Sequence, residues 1–130
     1  LFTVQESTSS FTHSEETPPI KLSVLDESTE GDEELRLEMI EAFLSDLNKS
    51  FTNIDQSLGA GDFQQVRAEA HALKGSALYF GADRFERLAE NLEQVSKRCD
   101  QNEIESAVED CQVEYRRITR FFEALIESEG

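Results

Sequence analysis

The sequence is poor in the residues that form metal sites and disulfide frameworks. It contains two cysteines, two histidines and no tryptophan in 130 residues. Cys99 and Cys111 lack both the spacing of a metal site and the density of a secreted disulfide scaffold. Their expected axial offset on successive helices exceeds the roughly 4 to 7 Å between the Cα atoms of a disulfide. We therefore predict that both are reduced, pack as small hydrophobic residues and bind no metal.

Positive charge and long apolar runs are also scarce. Twelve basic residues oppose 28 acidic residues, which gives a net charge of −16. Such a chain repels phosphate backbones and anionic lipid surfaces, so we expect neither nucleic acid nor a membrane as a partner. No apolar run approaches the length of a membrane span, and no secretory signal opens the chain. These absences predict a cytoplasmic protein.

The first 23 residues lack a sustained apolar period. They are rich in serine, threonine and glutamate and include Pro18-Pro19, a composition typical of a solvated linker. His13 lies in this stretch, and we interpret it as a tail residue without partners. Because the chain begins with Leu1 rather than methionine, we expect a fragment of a longer protein. The sequence thus divides into a disordered linker over 1–23 and one folded domain over 24–130.

Beyond the linker, apolar residues recur every three or four positions, as they do in amphipathic helices. Four such stretches follow one another, and strand-type alternation is absent. Gly59 and Gly61 are suited to end the first helix, and Gly81 the second. Short links make successive helices antiparallel, which predicts an all-α, up-down-up-down four-helix bundle. The four helices are expected to begin near Asp32, Asp62, Asp83 and Asn102.

His71 lies in the middle of the second predicted helix, away from its apolar seam. At about 100° per residue, the ring falls roughly 130° from the centre of that seam and faces outward. Gly75 lies one turn further on, where glycine costs about 1 kcal/mol relative to alanine. We interpret this glycine as giving a partner's surface access to the histidine. The other residues expected along this outward strip are Gln64, Arg67, Ala68, Lys74 and Leu78.

Two cations are predicted to lie beside the imidazole. Arg67 precedes His71 by four residues and Lys74 follows it by three, and these spacings make neighbours on a helix surface. Positive charge disfavours the imidazolium ion, keeps a ring nitrogen available as a nucleophile and attracts an incoming phosphoryl oxygen. The pattern indicates a reactive histidine rather than a packing one.

Residues 71–76 read His-Ala-Leu-Lys-Gly-Ser and resemble the His-x-x-Lys-Gly-Ser signature of histidine-containing phosphotransfer (HPt) domains. Residues 41–46 are similar to the Phe-Leu-x-Asp segment of the preceding family helix, and 61–62 match the Gly-Asp pair that opens the histidine helix. Residues 81–93 are similar to the next helix. The resemblance covers about Asp26 to Ile126, which is most of the folded part.

The resemblance implies a phosphorelay step. A receiver-domain aspartate would donate its phosphoryl group to His71, which would pass it to another receiver. Lys74 would neutralise the phosphoryl group, and Gly75 would admit the partner. Receiver domains would be the partners and would bring the magnesium ion, whereas this domain would bind no cofactor, have no ATP site and be monomeric on its own. The serine- and threonine-rich lead favours a hybrid sensor histidine kinase, in which the domain would lie on the cytosolic side.

Three other interpretations remain open from the sequence. An ATP-binding kinase core could phosphorylate His71 directly. The bundle could bind receivers without carrying phosphate. A hydrolase or metal enzyme could use His71 as a base or ligand, but it would need further groups, because no second histidine stands four residues away and the carboxylates are spread over solvated faces.

Overall fold

The computed structural model describes residues 18–129, in which five helices and no strand occur. The four long helices are those predicted from the apolar periodicity, which confirms the all-α fold. A short helix precedes them. In chain order the helices are α1 (Leu22–Thr29), α2 (Glu33–Gly59), α3 (Phe63–Tyr79), α4 (Asp83–Ser96) and α5 (Gln101–Glu129).

Side-chain contacts fix the direction in which the long helices run. Two side-chain hydrogen bonds between α3 and α4 show this, because the residue number rises along one helix as it falls along the other. Two ring contacts show the same reversal between α2 and α5. Neighbouring helices therefore lie antiparallel. The pairs are His71 with Glu93, Lys74 with Glu90, Phe43 with Phe122, and Phe51 with Tyr115.

The ends of the helices follow the predicted capping residues. The Asp32 carboxylate accepts the backbone N–H three residues further on at 3.0 Å, and Asp62 does the same at 3.1 Å. Each thereby satisfies an amide that has no partner inside its helix. Of the two glycines predicted to end α2, Gly61 adopts the left-handed conformation at φ +72°, while Gly59 remains the last helical residue.

The core lies between the apolar seams of the long helices, and the seam of α3 is the one its spacing predicts. Phe80, just after α3, stacks on Phe43 of α2 with ring centroids 4.1 Å apart. This packing holds α3 by one side, so its other side carries the residues predicted to face a partner. The buried residues of α3 are Val66, Ala70, Leu73 and Ala77.

The packed part of the chain begins before the predicted boundary at residue 24. Ile20 is only 2% exposed and belongs to the core. The backbone N–H of Lys21 donates to the carbonyl oxygen of Gly81 at 3.1 Å, which ties this segment to the α3–α4 link. Residues 18–23 are thus part of the fold, and the remainder of the predicted linker, including His13, lies outside the described residues.

The two cysteines are free, as predicted. Cys111 is buried in the core, and burial raises the pKa of its thiol to about 12, so it packs as a small hydrophobic residue. Cys99 differs from the prediction because it is exposed, in the link before α5, where its φ is +56°.

We expect Gly81→Ala to destabilise the fold more than Gly31→Ala does. Both glycines have a left-handed backbone, at φ +67° and +79°, which costs a residue with a Cβ atom about 1–2 kcal/mol. A Cβ at residue 81 would also lie 3.0 Å from the Cβ of Lys21 and 3.1 Å from Cγ2 of Val24, whereas residue 31 has open space. Urea unfolding followed by circular dichroism measures both losses. Equal losses would show that the segment packed on Gly81 adds no strain.

Candidate functional site

The outward face of α3 carries an exposed histidine. The His71 side chain is 69% exposed, and Gly75, one turn later, is also exposed. The structure therefore places the predicted nucleophile and the predicted access residue side by side on the surface. The predicted docking residues Gln64, Arg67, Ala68 and Leu78 are likewise exposed.

A carboxylate from the neighbouring helix holds the imidazole. Nδ1 of His71 lies 3.2 Å from Oε2 of Glu93 on α4. Because a carboxylate can only accept, we assign the proton of the neutral ring to Nδ1. Nε2 then carries the lone pair, and it makes no hydrogen bond within residues 18–129. The ring thus presents one unprotonated nitrogen to solvent.

Lys74 contacts the same carboxylate and a second one. Its Nζ donates to Oε1 of Glu90 at 2.6 Å and lies 3.3 Å from Oε1 of Glu93. The hydrogen bond to Glu90, and then the contact with Glu93, raises the pKa of Lys74, so the ammonium stays charged at neutral pH. Hydrogen bonds from Lys74 and Gln94 lower the pKa of Glu90. Glu93 therefore bridges the histidine and the lysine through its two oxygens.

The charges around the ring differ from the sequence-based expectation of two flanking cations. The charged group in contact with the imidazole is the Glu93 carboxylate, and Lys74 is directed towards the two glutamates of α4. Arg67 is exposed and makes no ion pair with any carboxylate of the described chain. The residue pattern of α3 does not indicate Glu90 and Glu93, because these two residues belong to α4.

Gly75 is not required by packing inside the domain. A Cβ atom built on it meets no atom within 4 Å, so a larger side chain would project into open space. Beside it, a groove of about 400 Å³ runs between α2 and α3. Met39, Ala42 and Asp46 line the α2 side of this groove, and Gly75 and Tyr79 line the α3 side.

An apolar patch adjoins the groove. Leu78 and Tyr79 are 59% and 58% exposed, the two highest values among the exposed large apolar side chains of the described residues. Only Leu78 was predicted from the sequence. The α2 residues of the groove were not, because the outward strip was drawn on α3 alone. Together, the patch and groove give the histidine face an apolar margin suited to a protein partner.

Within residues 18–129, no three histidine, cysteine or acidic side chains converge in a way that could hold a metal ion. None of the helices in this range has the apolar run that a bilayer crossing would require.

Comparisons with known proteins agree with this arrangement. The sequence model of the Hpt domain family matches residues 38–128. No curated protein matches the sequence significantly. Among solved structures, the chain is similar to histidine-containing phosphotransfer protein B from Pseudomonas aeruginosa, with a TM-score of 0.74 and 23% identity over 83% of this chain and 95% of that one.

A second similar structure is the HPT domain of the Hpt sensor hybrid histidine kinase from Shewanella. Its TM-score is 0.65 and its identity 21%, over 84% of this chain and 95% of that one. At these identities the two structures show that the fold is shared. The family match spans most of the chain and includes the helix that carries His71. The chain belongs to the Hpt domain family, whose members act in phosphorelay signalling.

Proposed function

We propose that His71 accepts a phosphoryl group from the aspartate of a receiver domain and passes it to the aspartate of another receiver. The observation that carries this proposal is the exposed imidazole whose Nδ1 is held by Glu93 at 3.2 Å, in a chain of the Hpt family. The hydrogen bond leaves Nε2 as the attacking atom and fixes the direction in which it points.

In the transfer step, the Nε2 lone pair attacks the phosphorus of the aspartyl phosphate. The Nε2–P bond forms, the bond between phosphorus and the aspartate oxygen breaks, and the carboxylate leaves with the bonding electrons. The ring keeps its Nδ1 proton and becomes cationic in the transition state. Glu93 accepts a hydrogen bond from that proton and stabilises the developing positive charge. The receiver supplies the magnesium ion that its own aspartate site requires.

Lys74 supplies positive charge on the same face. A phosphoryl group brings roughly two negative charges at neutral pH. Lys74 is already paired with Glu90 and Glu93, so its charge is partly offset before phosphate arrives. It therefore neutralises the phosphohistidine incompletely, which suits a carrier that must release the group. Gly75 and the adjoining groove leave room for the receiver surface to reach Nε2.

The first test removes the nucleophile. We expect the domain mixed with phosphorylated receiver to take up an acid-labile, alkali-stable label, and His71→Gln to take up none. Because His71 is exposed, the substitution should leave the helix content measured by circular dichroism unchanged. Label retained by a folded His71→Gln protein would place the phosphoryl group on another residue.

The second test asks whether transfer depends on the contact between Glu93 and the His71 ring, or only on the negative charge of this surface. Glu93→Gln keeps an acceptor oxygen near Nδ1 but removes the negative charge. Hydrogen bonds to charged groups contribute about 1.5–3 kcal/mol, so we expect transfer to slow by roughly ten- to a hundredfold. Glu90→Gln is the matched control, because Glu90 contacts Lys74 but makes no contact with His71.

The two variants can be compared directly, because Glu93 contacts His71 and Glu90 contacts only Lys74 of the pair. Single-turnover transfer rates should be measured for both variants, because only Glu93→Gln removes the charge in contact with the ring. We expect a larger loss of rate for Glu93→Gln than for Glu90→Gln. The same rate for the two variants would contradict a specific role for Glu93.

The third test uses the open space at Gly75. Alanine or leucine at this helical position should stabilise the domain by about 0.5–1 kcal/mol, because glycine is a poor helix former and no atom opposes the new side chain. Leucine should nevertheless weaken receiver binding, whereas alanine should weaken it far less. Thermal unfolding and binding titrations measure the two effects. Unaltered receiver binding by Gly75→Leu would rule out the proposed access role.

A further inference from the structure

A second concavity lies on the α3–α4 face, beyond His71 towards the beginning of α3. Its volume is about 220 Å³. The lining contains two cations and no carboxylate, and we call it the Arg67–Lys97 cleft. It is formed by Phe63, Gln64 and Arg67 from α3 and by Ser96, Lys97 and Cys99 from the end of α4 and the following link.

The packing register of the two helices places these cations opposite one another. Lys74 pairs with Glu90 and His71 with Glu93, so each step back along α3 matches an equal step forward along α4. One further turn pairs Arg67 with Lys97. The cleft is therefore a continuation of the same row of facing side chains that holds the histidine.

The cations on the two sides of His71 along α3 differ in their partners. On one side, Lys74 is paired with two carboxylates. On the other, Arg67 forms no ion pair within residues 18–129, and the Lys97 ammonium donates to the neutral Oε1 of Gln94 at 3.3 Å. Two like charges that line one small concavity repel each other, and an anionic group placed between them relieves that repulsion.

The distance from the ring decides which anion the cleft can take. Phe63 and Gln64 precede His71 by eight and seven residues, which puts that end of the cleft about 10 to 12 Å away along the helix axis. A phosphoryl group bonded to the imidazole cannot reach that end of the cleft, although Arg67 itself lies only about 6 Å before the ring along the axis. The far end of the cleft is therefore open to a group of the partner that meets this face.

We propose that the Arg67–Lys97 cleft binds an aspartate or glutamate side chain of the receiver and thereby orients the receiver on His71. The inference rests on the proposed phosphotransfer function and adds a second contact point to it. The cleft is small, and the chain as a whole carries a net charge of −16, so a single acidic side chain fits it better than a polyanionic surface.

The test compares two reactions of His71, which are its labelling by a small phosphoryl donor and its transfer of the phosphoryl group to a receiver. The wild-type domain and the Arg67→Glu, Lys97→Glu double variant are phosphorylated with phosphoramidate, a small donor that needs no docking surface. Each is then mixed with purified receiver domains, and one that accepts phosphate from the wild type is used for rates. The Arg116→Glu, Arg120→Glu double variant is the matched control, because it reverses two cations at exposed positions on α5.

The quantity compared is the rate of transfer to the receiver divided by the rate of labelling by phosphoramidate. We expect this ratio to fall at least tenfold in the double variant at low salt and to recover towards wild type at about 0.5 M salt, where charges are screened. The Arg116→Glu, Arg120→Glu control should leave the ratio unchanged. The neutral variant Arg67→Gln, Lys97→Gln should shift it in the same direction but less.

The outcomes separate this inference from the function on which it rests. An unchanged ratio in a folded double variant would overturn the docking role while leaving phosphotransfer intact. A fall in phosphoramidate labelling as large as the fall in receiver transfer would overturn it too, because the cleft would then act on the histidine itself. No labelling of wild-type His71 by either donor would instead contradict the proposed function, and with it the inference.

Discussion

The bridge formed by Glu93 is the interaction on which the rest of the site depends. One carboxylate, only 16% exposed, contacts the imidazole through one oxygen and approaches the lysine through the other. It comes from a different helix than the two groups it joins. The reactive arrangement therefore exists only when α3 and α4 are packed in the correct register, and it is a property of the bundle rather than of the His-x-x-Lys segment.

Packing on the buried side of α3 makes that register possible. Ala70 and Ala77 are fully buried, and alanine in a helix interface allows close approach of the neighbouring backbones. Between them, Leu73 fills the core and is 1% exposed. Small and large residues thus alternate along the seam, and α3 has a fixed rotation about its axis. That rotation is what sends His71 outward and Lys74 sideways towards α4.

The features that could be predicted from the sequence are those that depend on a single helix. The apolar spacing identified the buried seam of α3 and the outward direction of His71, and local capping chemistry identified Asp32 and Asp62. It did not identify Glu93, because a projection of one helix carries no information on its register with the next. A signal was present, since Glu90 and Glu93 have the same three-residue separation as His71 and Lys74.

The start of the fold was missed for a related reason. Residues 18–23 have the composition of a linker, and nothing in their own pattern indicates that Ile20 enters the core or that Lys21 bonds to Gly81. The Lys21 contact depends on the missing side chain of Gly81, because a Cβ there would lie 3.0 Å from the Cβ of Lys21. Long-range partners of short, irregular segments are invisible to periodicity.

The pairing of Lys74 with two glutamates also sets the energy of the loaded domain. Before phosphorylation, the lysine and its two carboxylates together carry one excess negative charge. A phosphoryl group on Nε2 would add about two more negative charges, and the nearby carboxylates would repel it. A lysine without these partners would lower the free energy of the phosphohistidine further. Under the proposed phosphotransfer function, the glutamates of α4 would therefore raise the phosphoryl transfer potential of a phosphorylated His71.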